Sequence, residues 1–247
     1  MSAPPHYESD QALAEYLLLH YGTAESLLNG LPGPHEAMEF PARVVRELLD
    51  TSRLPSSAKA LDIGCAVGRS TFELARHCVE VHGIDSSQKF ILAASTLAKE
   101  GKLEVPIPVE GAITVPFEAQ VSGDIHRARV SFCVGDALNL PPKLGKFDVV
   151  LAANLICRLP QPKQFLESLT TLVGGQLLLT TPFTWLEEFR GSWLGATENC
   201  SSWEALKEIL DPHFQLEEEK NLPFLIREHA RKFQYGIALG SRWRPRA

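Results

Sequence analysis

The sequence lacks the features that would place the protein in a membrane, in a secretory route or on nucleic acid. It has no uninterrupted apolar run of about 18 residues, and its N-terminus carries neither the basic nor the apolar segment of a secretory signal. The 247 residues have a net charge of −6 at pH 7, which argues against the basic face that nucleic-acid binding requires. We therefore expect a soluble, cytoplasmic protein that acts on a small molecule or a protein.

Cysteine and glycine motifs for several other chemistries are also missing. The five cysteines are scattered and include no C-x-x-C pair, so neither a disulfide framework nor a metal site is expected. No P-loop Gly-Lys-Ser/Thr occurs. The spacing also excludes a dinucleotide-binding G-x-G-x-x-G turn, because the small residues stand at 64, 66 and 68 and Arg69 takes the place of the third glycine.

The stretch from Asp62 to Asp85 carries the most informative pattern that is present. Asp62 lies in an apolar strand that leads into a turn of small residues, a helix opens near Ser70, and a second strand ends at Asp85. Small residues let the backbone approach a ligand, the start of a helix offers free N–H groups, and Asp85 can accept both ribose hydroxyls. The pattern resembles the D-x-G-x-G-x-G turn of class I S-adenosylmethionine (SAM) methyltransferases, with Ala66 replacing the middle glycine. SAM is therefore the expected cofactor.

Strand and helix patterns alternate through the rest of the chain. Predicted strands span 60–63, 79–84, 130–134, 147–152 and 176–180, and predicted helices span 71–77, 90–97 and 163–172. This alternation predicts an α/β fold with a doubly wound, Rossmann-like sheet, mostly parallel but ending in antiparallel strands at 214–219 and 235–243. We expect an N-terminal helical cap over residues 1–57 and a methyltransferase core over 58–247.

Residues at about 101–129 form an insertion in this core, where a short loop would suffice. Apolar residues at 113, 115, 117, 119 and 121 alternate with mostly other residues, and this period of two predicts a hairpin arm. The arm either covers a pocket, contacts a second copy of the chain, or is structural decoration.

The likeness to class I methyltransferases implies a cofactor site at the carboxyl ends of the parallel strands. Asp62 is expected near the methionyl amine of SAM and Asp85 at its ribose. Asp136 follows the third strand, where this class commonly places an acid against the adenine amino group, and Asn154 ends the fourth strand. The predicted cofactor residues are Asp62, Gly64, Cys65, Ala66, Gly68, Asp85, Ser86, Asp136, Ala137 and Asn154.

Longer strings carry a more specific resemblance, which extends over residues 7–243. They are Gly64-Cys-Ala-Val-Gly-Arg-Ser70, Leu151-Ala-Ala-Asn-Leu-Ile-Cys-Arg-Leu159, Thr184-Trp-Leu-Glu-Glu-Phe189 and the segment 223–233. In these strings the chain closely resembles the 4-mercaptohistidine N1-methyltransferase family, the methyltransferase domain at the C-terminal end of ovothiol-synthesising enzymes. The resemblance implies methylation of a side-chain imidazole nitrogen of free 5-thiohistidine, which gives ovothiol A, or of its selenium analogue 5-selenohistidine.

The same resemblance implies a partner. In that family the domain is often fused behind an iron-dependent sulfoxide synthase, which implies a functional partnership with such an enzyme. The present chain is expected to be a stand-alone version, either a monomer or a homodimer.

The reaction implied by the resemblance requires an unprotonated ring nitrogen, and a sulfur or selenium anion on the ring favours the protonated imidazolium. A general base is therefore considered, and the candidates are Glu188, Glu187 and His229. Asn154 is expected to orient the ring by hydrogen bonds. Positioning and desolvation without a base are the alternative.

A free amino acid also needs a group that binds its carboxylate, and the fork of an arginine suits this task. Arg158 and Arg227 are the candidates, whereas Arg43 or Arg69 is considered for the carboxylate of SAM. Arg227 lies in the segment 223–233, which reads either as a substrate-binding segment or as a solvated turn between the terminal strands. The other predicted substrate contacts are Tyr16, Tyr21 and Trp185.

Two other functions remain open from the sequence. The acceptor of a class I methyltransferase can be another small nucleophile or a histidine within a protein, because the fold alone does not name it. A SAM-binding module without catalysis is the second alternative, although the complete set of donor-site residues argues against it.

Overall fold

The computed structural model describes residues 5–141 and 144–246. Its helices are α1 (Asp10–Tyr21), α2 (Ala24–Leu28), α3 (Phe40–Leu48), α4 (Arg69–Leu74), α5 (Gln88–Glu100), α6 (Pro162–Leu172) and α7 (Ser202–Leu210). Its strands are β1 (Lys59–Ile63), β2 (Glu80–Asp85), β3 (Lys102–Glu110), β4 (Ile113–Gln120), β5 (Val130–Val134), β6 (Phe147–Ala153), β7 (Val173–Thr181), β8 (Phe214–His229) and β9 (Lys232–Pro245).

The described residues form a seven-stranded sheet with the order β5-β2-β1-β6-β7-β9-β8. The first five strands in this order are parallel, whereas β9 is antiparallel to β7 and β8 is antiparallel to β9. The predicted α/β fold, a mostly parallel Rossmann-like sheet with a terminal antiparallel pair, is confirmed.

The central strands divide their side chains between two hydrophobic layers. Along β1, Ala60 belongs to the layer that contains α1, α3 and α5, whereas Leu61 and Ile63 belong to the layer that contains α6 and α7. All three side chains are almost completely buried. Strand residues alternate between faces, so a short apolar strand supplies both layers and fixes where its polar residue, Asp62, is placed.

The N-terminal helices begin where local sequence signals predict. Ser9 precedes α1, and its hydroxyl accepts a hydrogen bond from the Ala12 amide at 3.1 Å. Pro41 lies in the first turn of α3, where its missing N–H costs nothing. The apolar faces of both helices then pack against β8 and the parallel sheet in one hydrophobic cluster.

The insertion folds as the predicted hairpin arm, in which β3 and β4 pair antiparallel. Its buried side chains, Ile107, Phe117 and Ala119, pack in the same cluster as α1 and β8. The Ala230 amide at the tip of the terminal hairpin donates to the Val109 carbonyl at 3.2 Å. The arm therefore packs against α1 and the terminal hairpin and supports them.

The terminal hairpin is longer than predicted. The segment 223–233 contains no long solvated turn, because β8 continues to His229 and β9 begins at Lys232. In this extension Leu225 and Arg227 are buried, whereas Phe224 and Ile226 are half-buried and line a cavity. No helix in the described part of the chain is both long and apolar enough to cross a membrane.

Candidate active site

A cavity of about 180 Å³ lies at the carboxyl ends of β1, β2 and β6, the edge where α/β sheets bind ligands. The turn after β1 forms its floor, α1 and the residues before it form one side, and β8 closes the opposite side. Nine of the predicted site residues line this cavity: Tyr16, Asp62, Gly64, Cys65, Ala66, Asp85, Ser86, Asn154 and Arg158.

The turn after β1 has the backbone geometry that its small residues predicted. Gly64, Ala66 and Gly68 have φ values of 75°, 47° and 87°, in the left-handed region that favours glycine. The Gly64 amide donates to the Ile84 carbonyl at 2.7 Å, which ties the turn to the end of β2. The turn thus brings its backbone against the cavity.

Asp85 holds this turn from the neighbouring strand. Its Oδ2 accepts a hydrogen bond from the Ala66 amide at 2.9 Å, and its Oδ1 accepts one from the Ser87 amide at 2.8 Å. Burial raises the pKa of this carboxyl, although the backbone amides oppose the shift. Each oxygen keeps a further lone pair, so the carboxylate can also accept hydrogen bonds from a ligand.

Asp62 forms a second acidic point of the cavity, at the end of β1. It is 1% exposed, and its Oδ2 accepts a hydrogen bond from the Thr71 hydroxyl at 2.7 Å. Burial raises the pKa of Asp62 to about 7. A cationic group beside this carboxyl would favour its ionised form.

Asn154 follows β6 and adopts a left-handed conformation with φ 52°. Its amide N–H donates to the Thr180 carbonyl at 2.8 Å, and its Oδ1 accepts from the Thr180 hydroxyl at 2.9 Å. Its Nδ2 has no hydrogen-bond partner among the described residues. The neighbouring strand therefore fixes the amide and leaves a donor available at the cavity.

Tyr7, Tyr16 and Arg158 also line the cavity. The Tyr7 and Tyr16 rings meet edge to face with centroids 6.0 Å apart, and the Tyr16 ring centroid lies 4.7 Å from that of Phe90. Burial raises the pKa of both tyrosines, and the nearby Arg158 guanidinium opposes this shift. Arg158 donates to the Thr184 carbonyl at 3.4 Å, a weak contact that leaves most of its donors available.

Hydrogen bonds to the N-terminus of α5 hold the segment before α1 beside the cavity. The Glu8 carboxylate accepts hydrogen bonds from the Gln88 and Lys89 amides at 2.9 and 3.2 Å. The Ser87 hydroxyl donates to the Tyr7 carbonyl at 3.3 Å. These contacts hold Tyr7 over the side of the cavity where Asp85 and Ser86 lie.

The terminal hairpin does not bring Arg227 or His229 into the cavity. Strand alternation turns Phe224 and Ile226 toward the cavity and Arg227 away from it. Arg227 is 3% exposed, and its guanidinium donates to the Ser26 and Pro108 carbonyls at 2.5 and 3.3 Å. The Nδ1 of His229 accepts from the Arg231 amide at 3.2 Å, in an outer groove beside the arm.

Three further predicted residues lie outside the cavity wall. Glu188 is exposed on the short 3₁₀ helix Glu187–Ser192, because this helix projects beyond β7. The Trp185 indole donates to the Ser202 hydroxyl at 2.9 Å, which fixes it against α7. The Tyr21 hydroxyl donates to the Val67 carbonyl at 2.8 Å and thereby supports the turn from behind.

Gly68, Asp136 and Ala137 also lie outside the wall. A Cβ at Gly68 would point at Phe132, 2.6 Å away, and therefore not toward the cavity. Asp136 follows β5, and its carboxylate accepts hydrogen bonds from the Leu138 amide and the Asn139 side chain. Because the Gly135 amide donates to the Asp85 carbonyl, Asp136 and Ala137 stay close to the Asp85 side. Their contact with adenine remains a prediction.

Several lining residues were not predicted as site residues. They include Tyr7, His20, Ser70, Phe40 and Phe224. One signal was available for His20, because it stands four residues after Tyr16 and therefore shares its helix face. Ser70 likewise lies in the first turn of α4, where the sequence already predicted a helix start.

Comparison with known proteins bears on the parts of the chain that build this cavity. Residues 61–174 match the profile of a family described as "Methyltransferase domain". The matched segment lies within the predicted methyltransferase core and covers less than half of the chain. It includes the turn, Asp85, Asn154 and Arg158, whereas α1 and the terminal hairpin lie outside the matched residues.

Two curated proteins from Rauvolfia serpentina are similar in sequence. The chain is 31% identical to norajmaline N-methyltransferase over 136 residues, which cover 52% of this chain and 38% of that protein. It is 26% identical to ajmaline N-methyltransferase over 162 residues, which cover 63% of this chain and 47% of that protein. The match thus spans less than half the length of these relatives.

Solved structures share the fold. The N-methyltransferase NodS from Bradyrhizobium japonicum, in complex with S-adenosyl-L-homocysteine (SAH), has a TM-score of 0.55 at 17% identity, covering 95% of this chain and 99% of that one. Magnesium protoporphyrin IX methyltransferase from Synechocystis PCC 6803 with bound SAH has a TM-score of 0.51 at 20% identity, covering 84% of this chain and 82% of that one. At these identities the comparison establishes the fold.

Proposed function

We propose that this chain is a SAM-dependent N-methyltransferase that methylates a side-chain imidazole nitrogen of free 5-thiohistidine or 5-selenohistidine, giving ovothiol A or its selenium counterpart. One observation carries the proposal: a single cavity joins the two carboxylates of a SAM site, Asp62 and Asp85, to an amide and a guanidinium, Asn154 and Arg158. The resemblance of the strings around Asn154, Trp185 and Arg227 to the 4-mercaptohistidine N1-methyltransferase family supports this choice of acceptor.

SAM is the cofactor of this site. The methyltransferase domain covers the turn and Asp85, and solved structures with the same fold hold SAH or SAM. The acidic lining agrees with this assignment, because SAM brings a sulfonium and an ammonium group, and both are cations. Asp85 would accept the ribose hydroxyls and Asp62 would lie beside the ammonium group.

Arg158 and Asn154 would bind and orient the acceptor. The Arg158 guanidinium lies at the cavity with most of its donors available, and it suits the carboxylate of a free amino acid. The Asn154 Nδ2 is a donor fixed by Thr180, and it suits the ring or its sulfur or selenium anion. Phe40 and Phe224, with ring centroids 5.2 Å apart, form an apolar side against which an imidazole can pack.

The transfer itself is a displacement at the methyl carbon. The lone pair of the unprotonated ring nitrogen attacks this carbon, the C–N bond forms as the S–CH₃ bond breaks, and the bonding electron pair stays on sulfur in SAH. An imidazolium form must first release one proton to water. Holding the nitrogen about 3 Å from the methyl carbon is the main task of the protein in such a reaction.

The candidate bases do not take part in this scheme. Glu188 and His229 lie outside the cavity, and the buried tyrosines keep their protons because burial raises their pKa values. We therefore assign the acceleration to positioning and desolvation. An iron-dependent sulfoxide synthase would supply the acceptor, as the resemblance implies.

Methylation of a different small nitrogen nucleophile is the second candidate. The similarity to norajmaline N-methyltransferase, 31% over 136 residues, favours it, because that protein is named for methylation of a nitrogen of norajmaline. A histidine within a protein substrate would require a more open groove than this cavity of about 180 Å³ offers.

An incubation with methyl-labelled SAM, read by mass spectrometry, tests the proposal. The acceptor panel contains histidine, 5-thiohistidine, 5-selenohistidine, a histidine peptide and norajmaline. We expect methylation of the thio or seleno amino acid only. Methylation of the peptide or of norajmaline, without methylation of 5-thiohistidine or 5-selenohistidine, would refute the proposed acceptor.

Variants at two arginines sharpen this test. Arg158→Met should raise the KM of the acceptor about tenfold to a hundredfold and leave the Kd of SAM unchanged, because a hydrogen-bonded charge pair is lost. Arg190→Met is the matched control, since Arg190 is exposed and paired with Glu187 outside the cavity. An equal effect of both variants would remove Arg158 from the acceptor site.

A further inference from the structure

His20 occupies a boundary between the cavity and an outer groove. It lies in the last turn of α1 and is 8% exposed. Its ring lines the cavity on one side, and on the other it meets a groove that includes Glu39 and Arg69. Two tyrosine rings flank it, those of Tyr16 and Tyr21, with centroids about 6 Å away.

The hydrogen bond to α4 decides the form of this imidazole. The Arg69 amide donates to the His20 Nδ1 at 3.3 Å, so Nδ1 carries no proton. Burial lowers the pKa of His20 to about 3, with a further contribution from the Arg69 guanidinium, and the ring is therefore neutral near pH 7. A neutral ring with an unprotonated Nδ1 carries its proton on Nε2.

The Nε2–H group is left as a donor that remains accessible to a ligand. The Arg69 backbone amide occupies Nδ1, so Nε2 is the ring nitrogen left to meet a ligand where His20 lines the cavity. Nε2 has no hydrogen-bond partner within residues 5–141 and 144–246. Because the whole residue is only 8% exposed, this donor is available chiefly to an acceptor on a ligand beside the ring.

The surroundings of His20 indicate which part of a ligand that acceptor belongs to. Asp62 and Ser70 also line the cavity. The Asp62 carboxylate accepts a hydrogen bond from the Thr71 hydroxyl in α4, and the Ser70 hydroxyl donates to the Pro41 carbonyl in α3. This part of the cavity therefore offers the Asp62 carboxylate to a cation and the His20 Nε2–H group to an anion. An α-amino acid group, with its ammonium and carboxylate, has the complementary pair.

The two arginines considered for this carboxylate are engaged elsewhere. Arg43 donates to the Glu47 carboxylate at 2.8 Å, and Arg69 lies 3.7 Å from Glu73 and 3.9 Å from Glu39. Neither lines the cavity. Arg158 lies with the tyrosines and the acceptor side, where the proposed substrate needs it.

We propose that His20, as a neutral donor through Nε2–H, binds the carboxylate of the methionyl part of SAM, while Asp62 accepts from its ammonium group. This inference rests on the proposed function, because it assumes SAM in the cavity. Arg69 acts through its backbone amide by fixing the ring tautomer, and it does not bind the carboxylate itself.

Binding of SAH and of 5′-deoxy-5′-methylthioadenosine, measured by calorimetry, tests this inference. The second ligand keeps the adenosine and the sulfur but lacks the amino acid group. His20→Phe should weaken SAH binding about tenfold to a hundredfold, the range for a hydrogen bond to a charged group, and change binding of the truncated ligand less than about twofold. His20→Gln should restore much of the loss, because its amide nitrogen reaches the position of Nε2.

His77→Phe is the matched control, since this histidine is exposed on the residues after α4 and distant from the cavity lining. Equal weakening of both ligands by His20→Phe would show that the ring only supports α4, and the inference would be wrong. An unchanged Kd for SAH with a raised KM for the acceptor would place His20 on the acceptor and also overturn it. If the unaltered protein binds neither SAH nor SAM, the proposed function itself fails.

Discussion

Replacement of Gly68 by alanine separates backbone strain from packing in the turn that forms the cavity floor. Gly68 has φ 87°, and an added Cβ would lie 2.6 Å from the Phe132 ring and 3.3 Å from Ala94. Gly111, at the tip of the arm, also has a positive φ of 55°, but an added Cβ would meet nothing within 4 Å. Gly111→Ala therefore carries the backbone cost alone, and Gly68→Ala carries both costs.

The expected magnitudes follow from these two contacts. A non-glycine residue in the left-handed region costs about 1–2 kcal/mol, and an overpacked contact costs about 1–3 kcal/mol more. Gly111→Ala should therefore lower the free energy of unfolding by about 1–2 kcal/mol and Gly68→Ala by about 2–5 kcal/mol. At about 2–4 °C per kcal/mol for a chain of this length, the Tm difference between the variants is measurable.

Thermal unfolding and SAH titration on both variants provide the assay. The Gly68 amide donates to the Cys65 carbonyl at 2.9 Å, so distortion at Gly68 should reach Cys65 and Ala66 and weaken SAH binding. Gly68→Ala with Phe132→Leu should recover part of the Tm, because the shorter side chain relieves the contact. The reasoning is refuted if Gly68→Ala keeps the Tm of Gly111→Ala and loses SAH binding, since Gly68 would then act by direct contact with the cofactor.

Three other perturbations have defined outcomes. Burial raises the pKa of Asp62 to about 7, and a cation binds the ionised form of this carboxyl. The affinity for SAM, measured by calorimetry, should therefore fall roughly fivefold to tenfold as the pH is lowered from 8 to 6. Asp62→Asn should remove this pH dependence. Glu8→Ala removes the acceptor for two α5 amides and should speed SAH release severalfold in stopped-flow traces, while Glu25→Ala, at an exposed position of α2, should not. Arg227→Met should lower the Tm but leave the KM of the acceptor unchanged, since its guanidinium binds the Ser26 and Pro108 carbonyls; a raised KM with an unchanged Tm would contradict the assignment.

The cofactor side of the cavity could be predicted because its determinants are local in sequence. Asp62, the turn and Asp85 lie within one strand–turn–helix–strand unit, and parallel pairing of β1 with β2 follows from that connection. Burial of β1 on both faces then leaves little freedom in where Asp62 lies. The amide contacts of Asp85 with the turn are consequences of the same local geometry.

The acceptor side depends on contacts between distant segments, which the sequence does not specify in the same way. Whether residue 226 or residue 227 faces the cavity depends on the register of β8, and a shift of one residue exchanges the two faces. The sequence placed Arg227 in a segment read as a turn or a binding site, whereas the strand continues and buries it against the arm. The burial of an arginine among backbone carbonyls had no signal in local periodicity.

The charges in the cavity indicate why its two sides differ in this way. The cofactor side has two buried carboxyls whose pKa values are raised by burial, and its histidine is neutral, so this side is best satisfied by a cationic ligand. The acceptor side has a guanidinium and an amide donor, Arg158 and Asn154, and is best satisfied by an anionic one. Under the proposed function, SAM would occupy the first side and a free thiohistidine or selenohistidine the second. The same arrangement would draw the ring nitrogen of the acceptor toward the sulfonium, because each ligand is held at its own end and the reacting atoms meet between them.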